Sequence, residues 1–141
     1  MSTFNVFDVA GMAMSVQSLR LNTIASNLAN AETVASSPEE AYRSRHPVFN
    51  SVHMDALEGA MGEGSVVGIE VSQILESDKD VQMRYDPSNP KADANGYVYL
   101  SNVNVADQMA DMISASRTYQ TNAEMMRASK ELMQHTINLG K

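Results

Sequence analysis

Histidine, cysteine and carboxylate side chains are the groups most able to hold a metal or to catalyse a reaction. The chain has no cysteine, which excludes thiolate ligands, thiol nucleophiles and disulfides. It has three histidines, His46, His53 and His135, and their separations along the chain do not form a local metal-binding motif. We therefore predict that each histidine is an ordinary polar residue and that the chain has no metal site.

Two short motifs near the middle of the chain deserve testing against known chemistry. The turn at residues 91–96 is similar to a calcium loop, but Lys91 and Asn102 occupy its first and twelfth ligand positions and exclude the usual coordination. Ser88 and Lys91 have the spacing of a serine–lysine catalytic pair, yet prolines flank the motif and prevent the helix it needs. We predict no catalytic residue and no cofactor, and hence a protein that is not an enzyme.

Composition narrows the class further. The 141 residues suffice for one small unit, and the formal net charge of −7 with only ten basic residues argues against nucleic-acid binding. Aromatic residues make up 6% of the chain, while there are eleven methionines, so any core is built from slim and flexible side chains. Such surfaces adapt easily to neighbouring protein.

The start of the chain is not typical of a secretory signal. Its first basic residue is Arg20, and polar residues interrupt the stretch before it, so we expect no cleavable signal peptide. No run approaches the roughly 20 apolar residues that cross a bilayer, and we expect no direct membrane insertion.

The N-terminal segment from Val6 to Ala31 is predicted to be a long helix. It lacks proline and carries only two charges, Asp8 and Arg20, so we expect several of its faces to contact protein rather than water. Its apolar residues repeat every seven positions in two series, as in a coiled coil. The first series is Phe7, Met14, Leu21 and Leu28, and the second is Ala10, Gln17, Ile24 and Ala31.

A second long helix is predicted to begin near Asn104 or Val105 and to run to Leu139, with Asn102 or Asn104 as its N-cap. It also shows two heptad series. One consists of Met112, Tyr119, Met126 and Met133, and the other of Met109, Ser116, Ala123, Lys130 and Ile137.

The predicted fold is mainly α, with the long terminal helices paired as a coiled coil and a small irregular or β insert between them. We divide the chain into an N-terminal helix at 1–33, an insert at 34–101 and a C-terminal helix at 102–141. Strands are expected at 66–74 and 96–100. The segment 32–42 is expected to be a flexible link. The glycines ahead of or inside the first of these strands, Gly59, Gly62, Gly64 and Gly68, are expected to form a mobile loop that leads into a small sheet or hairpin.

Several stretches resemble one protein family. The segment Leu21–Ala31, with its Ala-Ser-Asn-Leu-Ala-Asn core, is similar to the N-terminal signature of the flagellar rod and hook proteins. Further matches resemble the proximal-rod members in particular. They are Tyr85-Asp86-Pro87, Asn89-Pro90, Ala92-Asp93, Gly96-Tyr97-Val98, Asn102 to Val105, Met112 to Tyr119, Asn122, Glu124, Leu132-Met133 and Leu139-Gly140.

The resemblance implies a structural subunit of the basal-body proximal rod in the periplasm. Such a subunit is secreted by the flagellar type III export apparatus and assembles with its own copies and neighbouring rod proteins into a helical tube. That tube transmits torque and encloses the export channel. The residues implied in helix pairing and assembly are Phe7, Met14, Leu21, Ile24, Leu28, Met112, Tyr119, Met126, Met133 and Ile137, and those implied in polar register contacts are Asn27, Asn30 and Asn122.

An alternative stays open at this point. A coiled-coil adaptor or export chaperone would use the same helical seams to bind one partner protein, and it would form a closed complex of fixed mass. A rod subunit instead makes heterologous contacts, which extend without closing.

Overall fold

A computed structural model describes residues 3–54 and 66–139. Two long helices lie at the ends of the chain, α1 at Thr3–Ala29 and α2 at Val105–Leu139. Between them are five strands, which are β1 Val34–Ala35, β2 Arg45–Met54, β3 Val66–Glu76, β4 Gln82–Tyr85 and β5 Tyr97–Leu100.

The start of α2 follows from its N-cap. The Oδ1 atom of Asn104 accepts a hydrogen bond from the backbone N–H of Ala106 at 3.0 Å, and Asp107 places a negative charge in the positive first turn. The predicted second helix is confirmed. Of the two candidate caps, Asn104 fills the position, while Asn102 lies outside the helix and accepts a hydrogen bond from the backbone of Ser44.

The two helices lie side by side and run in opposite directions. A Cβ atom placed on Gly11 would be 3.9 Å from Met126 Cε, whereas Arg20 is 2.8 Å from Asp111, so later positions in α1 meet earlier positions in α2. The mainly α fold with two terminal helices and a small antiparallel insert is confirmed. Their pairing as a coiled coil stays a prediction.

The first part of the insert is a three-stranded antiparallel sheet with the order β1-β5-β4. Val98 of β5 is fully buried. The segment after α1, expected to be a flexible link, instead contributes β1 to this sheet, and Ser101 donates a 2.6 Å hydrogen bond to the carbonyl of Ala31. A positive φ of 83° at Gly96 turns the chain into β5.

The second part is the antiparallel hairpin of β2 and β3, which packs on α1. The predicted strand at 66–74 is confirmed and continues to Glu76. Its partner β2 was not predicted. The pairing register shifts between Val48 and Phe49, and of the predicted glycine loop Gly59, Gly62 and Gly64 lie outside the described residues.

The described part of the chain has a small interior, and many of the residues buried in it are polar. Large apolar side chains are few in it, because small and polar side chains take up much of the buried space. None of the described helices is both long and apolar enough to cross a membrane. The buried residues are Ala10, Val16, Thr23, Ile24, Asn27, Ala35, Ala41, Ser44, Gly68, Val98, Ser101, Gln108, Ala115 and Ser129.

Candidate assembly interface and the joint that positions it

One fully buried amide ties the helices to the insert. Asn27 on α1 donates hydrogen bonds from Nδ2 to the carbonyl of Arg45 at 2.8 Å and to Oε1 of Gln108 at 2.9 Å. Its Oδ1 accepts from the backbone N–H of Arg45 at 2.9 Å and from the hydroxyl of Tyr42 at 3.0 Å. We call Asn27, Tyr42, Arg45 and Gln108 the Asn27 joint.

The chemistry of the joint explains why asparagine occupies this position. A carboxamide offers two N–H donors and two acceptor lone pairs, and all four are used here. Aspartate would lose both donors and leucine would lose all four bonds, so each substitution leaves buried polar groups without partners. The joint thus fixes α1, α2 and the start of the hairpin relative to one another.

Tyr42 and Arg45 are held in place by contacts around the joint. The Arg45 guanidinium lies 5.6 Å from the centre of the Tyr42 ring, and its Nη2 is 3.0 Å from Glu76 Oε1 on β3. These contacts extend the joint to the root of the hairpin.

The other two asparagines singled out from the sequence are placed differently. The Nδ2 of Asn30 donates to the carbonyl of Ser26 at 2.8 Å, and its own carbonyl accepts from the Thr33 hydroxyl, so Asn30 closes the end of α1. Asn122 is half-buried on α2. Sequence reasoning missed Gln108, Tyr42 and Arg45, because their role depends on contacts between segments far apart in the chain.

The residues predicted to pair the helices differ in burial. Ile24 is buried and Ile137 is 60% exposed, while Met126 lies against α1 at Gly11. All of the predicted pairing residues except Ile24 and Ile137 are half-buried. Their role in assembly stays a prediction. The half-buried ones are Phe7, Met14, Leu21, Leu28, Met112, Tyr119, Met126 and Met133.

The buried positions of α2 lie one residue before positions of the predicted second heptad series. Gln108, Ala115 and Ser129 are buried, whereas Met109 and Lys130, which follow the first and the last of them, are exposed. The face of α2 that packs in the interior therefore consists of small and polar side chains, next to the half-buried series of Met112, Tyr119, Met126 and Met133.

Larger apolar side chains lie on the outer surface of α2 instead. Exposed ones recur along the whole helix, so much of its apolar surface is left uncovered within one chain. They are Met109, Ile113, Met125, Leu132 and Leu139, while Ile137 is exposed on the face that continues the Met112 series.

The last part of α2 is exposed on all sides in the single chain. Every side chain from Gln134 to Leu139 is exposed, and Leu139 is 88% exposed. This segment contains no Asp, Glu, Lys or Arg, and no basic residue lies in the last turn. We call residues 134–139 the free end.

A cleft lies beside the Asn27 joint, at the opposite end of the helix pair. Its volume is about 300 Å³, and it is bounded by α1, α2 and the first half of β2. Two arginines and a histidine stand against one aspartate in its wall, and the remaining lining residues include three apolar side chains. The cleft is lined by Arg20, Ile24, Arg45, His46, Pro47, Phe49, Gln108 and Asp111.

Two aspartates with a lowered pKa, Asp86 and Asp93, lie in the turn before β5. A hydrogen bond from the Tyr97 backbone N–H, with others from Asn95 and Gly96, holds the pKa of Asp93 below its usual value against the opposing effect of desolvation. The Ser88 hydroxyl, with further help from Asn89 and Arg84, similarly lowers the pKa of Asp86. A lowered pKa keeps these groups ionised, so they suit turn stabilisation and not general-acid catalysis.

Comparison with known proteins agrees with this arrangement of helices. Residues 7–34 match the family described as flagella basal body rod protein, and residues 94–139 match the family described as flagellar basal body rod FlgEFG protein C-terminal. The two matches cover most of α1 and all of α2.

Full-length relatives share the whole chain. The flagellar basal-body rod protein FlgC of Salmonella typhimurium is 42% identical over 141 residues, and that of Escherichia coli O157:H7 is 41% identical. The FlgC protein of Bacillus subtilis is 32% identical over 152 aligned positions. In each case the alignment covers 100% of both chains.

Two terminal helices packed side by side, the second with exposed apolar side chains along its length, and these family matches together define a structural protein of the flagellar basal-body rod and not an enzyme. Within that class, the chain belongs to the FlgC family of flagellar basal-body rod proteins.

Proposed function

We propose that this rod subunit assembles through its terminal helices, with other copies of itself and with neighbouring rod proteins, into a helical tube of the proximal rod. The tube transmits torque and encloses the export channel. The chain reaches its periplasmic site through the flagellar type III export apparatus. In this proposal the 34–101 insert is carried by a rod core made of 1–33 and 102–141.

The observation that carries the proposal is the distribution of side chains on α2, which buries small and polar residues and exposes large apolar ones. This helix has 35 residues, yet its buried described side chains are Gln108, Ala115 and Ser129, while Ile113 and Leu132 are exposed. Covering an exposed leucine or isoleucine contributes about 1.5–3 kcal/mol, so adjoining subunits gain by packing on this face. A helix that served only its own monomer is expected to show the opposite distribution.

The proposal also assigns the predicted pairing residues. Ile24 and the half-buried series of Met112, Tyr119 and Met126 hold the helices of one subunit together. Exposed Ile137 continues the same face of α2 beyond them and is left for a neighbour.

The adaptor or chaperone alternative is less well supported, because the relatives named as rod proteins cover the whole chain. The two functions still differ in a measurable way. An adaptor forms a complex of fixed mass with one partner, whereas a rod subunit adds to structures that grow.

The test uses Ile113→Asp, which places a charge on the outer face without disturbing a buried group. We expect a strain carrying this variant to lose motility and to yield basal bodies without a complete rod. Far-UV circular dichroism of the purified variant should match that of the wild type, because Ile113 is 56% exposed in the single chain.

Ile113→Leu is the matched control, since it keeps an apolar side chain of similar volume at the same site. It should support rod assembly and swimming. Normal rods built from the Ile113→Asp protein would contradict the proposal.

A further inference from the structure

The turn before β5 contains the one Asn-Gly dipeptide of the chain, Asn95-Gly96. Each of the other asparagines is followed by a residue that has a side chain. Asn95 is exposed, and glycine has no Cβ to shield its backbone nitrogen, so there is little steric hindrance to attack of that nitrogen on the side-chain amide of Asn95. A reactive dipeptide therefore occupies an accessible place in the fold.

The reaction open to this dipeptide is loss of the side-chain amide through a cyclic imide. The backbone nitrogen of Gly96 gives up its proton and attacks Cγ of Asn95, the Cγ–Nδ2 bond breaks, and ammonia leaves with that proton. Water then opens the succinimide ring. Opening at Cγ gives aspartate, and opening at the main-chain carbonyl carbon gives isoaspartate. The reaction thus consumes water, releases ammonia and needs no oxidant or cofactor.

The folded turn holds the attacking nitrogen away from its target. The N–H of Gly96 donates to the carbonyl of Asp93 at 3.0 Å, and no described non-glycine residue has a positive φ, so Asn95 is the third residue of a type I turn. Ring closure requires rotation about the Cα–C bond of Asn95, which brings the Gly96 nitrogen onto Cγ. That rotation breaks the bond to Asp93, so the reaction has to wait until the turn opens.

The side chain of Asp93 closes the same turn. Its Oδ1 accepts hydrogen bonds from the backbone N–H groups of Asn95 at 2.9 Å and of Tyr97 at 2.8 Å. The backbone N–H of Asp93 in turn donates to the carbonyl of Tyr97 at 2.9 Å. Opening the turn far enough for ring closure therefore disrupts several hydrogen bonds together, and the open form is a minor population of the folded chain.

We propose that Asn95 is a site of spontaneous deamidation and that its rate is set by the folding of this turn. A chain kept unfolded is modified, whereas the folded chain is protected. Either product adds a negative charge beside Asp93. Isoaspartate also lengthens the main chain by a methylene group, which shifts the Tyr97 N–H away from Asp93 Oδ1. The modification thus records how long a chain has stayed unfolded, and it weakens the start of β5.

The test compares the purified full-length chain in buffer with the same chain in guanidinium chloride, at one pH and temperature. Peptide mass spectrometry follows the replacement of –NH2 by –OH at each asparagine and identifies isoaspartate by fragmentation. We expect Asn95 to convert fastest in the denaturant and about tenfold more slowly in buffer, because opening the turn disrupts at least two hydrogen bonds. Asn22, which is exposed but followed by Thr23, is the internal control and should convert slowly in both.

Two variants separate the effect of the sequence from that of the fold. Gly96→Ala puts a methyl group beside the attacking nitrogen and should slow conversion several-fold in denaturant, whereas its matched control Gly11→Ala should leave the rate unchanged. Asp93→Ala removes the side-chain bonds of the turn, so it should speed conversion of Asn95 in buffer, where circular dichroism checks that it is folded, and not in denaturant. Equal wild-type rates in buffer and denaturant, or an Asn95 that stays intact in the unfolded chain, would overturn the proposal.

Discussion

The Asn27 joint and the free end of α2 treat their polar groups in opposite ways. At the joint, one buried amide has a partner for each of its donors and acceptors. At the free end, the polar side chains of Gln134 and Asn138 are exposed together with the apolar side chains of Ile137 and Leu139. The difference teaches that buried hydrogen bonds fix the arrangement of the elements at one end of the helix pair, while at the other end α2 leaves its side chains exposed.

The largest expected effect comes from breaking the joint. Asn27→Ala removes four hydrogen bonds and leaves Gln108 and the Arg45 backbone without their partners, so the free energy of unfolding should fall by about 2–4 kcal/mol. Urea denaturation of the purified chain, followed by circular dichroism, measures this loss.

The matched control is Asn138→Ala, which makes the same change at the exposed free end. Its effect should stay within about 0.5 kcal/mol of the wild type. Equal midpoints for the two variants would mean that the joint does not hold the subunit together.

Two glycines sharpen the comparison at the level of the backbone. Gly96 has a φ of 83°, and an added Cβ would lie 2.9 Å from the Tyr85 ring, so Gly96→Ala should destabilise the chain by about 1–3 kcal/mol. Gly11 lies inside α1, where an added Cβ meets only Met126 Cε at an ordinary 3.9 Å. Gly11→Ala should therefore stabilise it by about 0.5–1 kcal/mol. Thermal denaturation of both variants checks these opposite signs, and the same sign for both would refute the interpretation.

A smaller effect is expected for one hydroxyl of the joint. Tyr42→Phe removes the donor to Asn27 Oδ1 and keeps the ring under Arg45, so it should cost about 1 kcal/mol in urea denaturation. Tyr97→Phe, on the exposed face of β5, provides the control and should be nearly neutral. If Tyr42→Phe left the stability unchanged, the Tyr42 hydroxyl would not contribute to the joint.

The smallest effect concerns acid. The pKa of Asp93 is lowered in the folded chain from its ordinary 3.8, mainly by the Tyr97 backbone N–H. A lowered pKa stabilises the fold above the ordinary value, and this contribution is lost as the pH falls through the folded-state pKa. Stability below about pH 4 should therefore decline less steeply in Asp93→Asn than in the wild type. Identical slopes in acid titrations followed by circular dichroism would contradict the assignment.

Much of the helical framework could be predicted from the sequence. The proline-free heptad segments indicate the length of the helices. The sequence predicts that α2 begins near Asn104 or Val105 and ends at about Leu139, and the helix is found at Val105–Leu139. The predicted α1 differs from the observed Thr3–Ala29 by a few residues at its ends, where side-chain patterns say least.

The inner register of α2 could not be predicted, because it reverses the usual rule. Hydrophobicity predicts that Met109 is buried and that Gln108 is exposed. In the structure Gln108 is buried, where it accepts a hydrogen bond from Asn27, and Met109 is exposed. Strand β2 was missed for a related reason, since its Pro47 and two histidines interrupt any alternation. The joint itself depends on Tyr42 and Gln108 meeting Asn27 across long stretches of chain.

The β2–β3 hairpin has a consequence for how such a subunit can vary. Its root is held by the Asn27 joint and by a 2.8 Å bond from Ser77 N–H to the Ser44 carbonyl. The register shift at Val48 and Phe49 bends the ribbon beyond that root. Lengthening or shortening the ribbon past this bend changes its reach without moving the helices. During evolution, the length of this hairpin can therefore change, and with it the distance at which the subunit makes contacts, while the packing of the two helices stays the same.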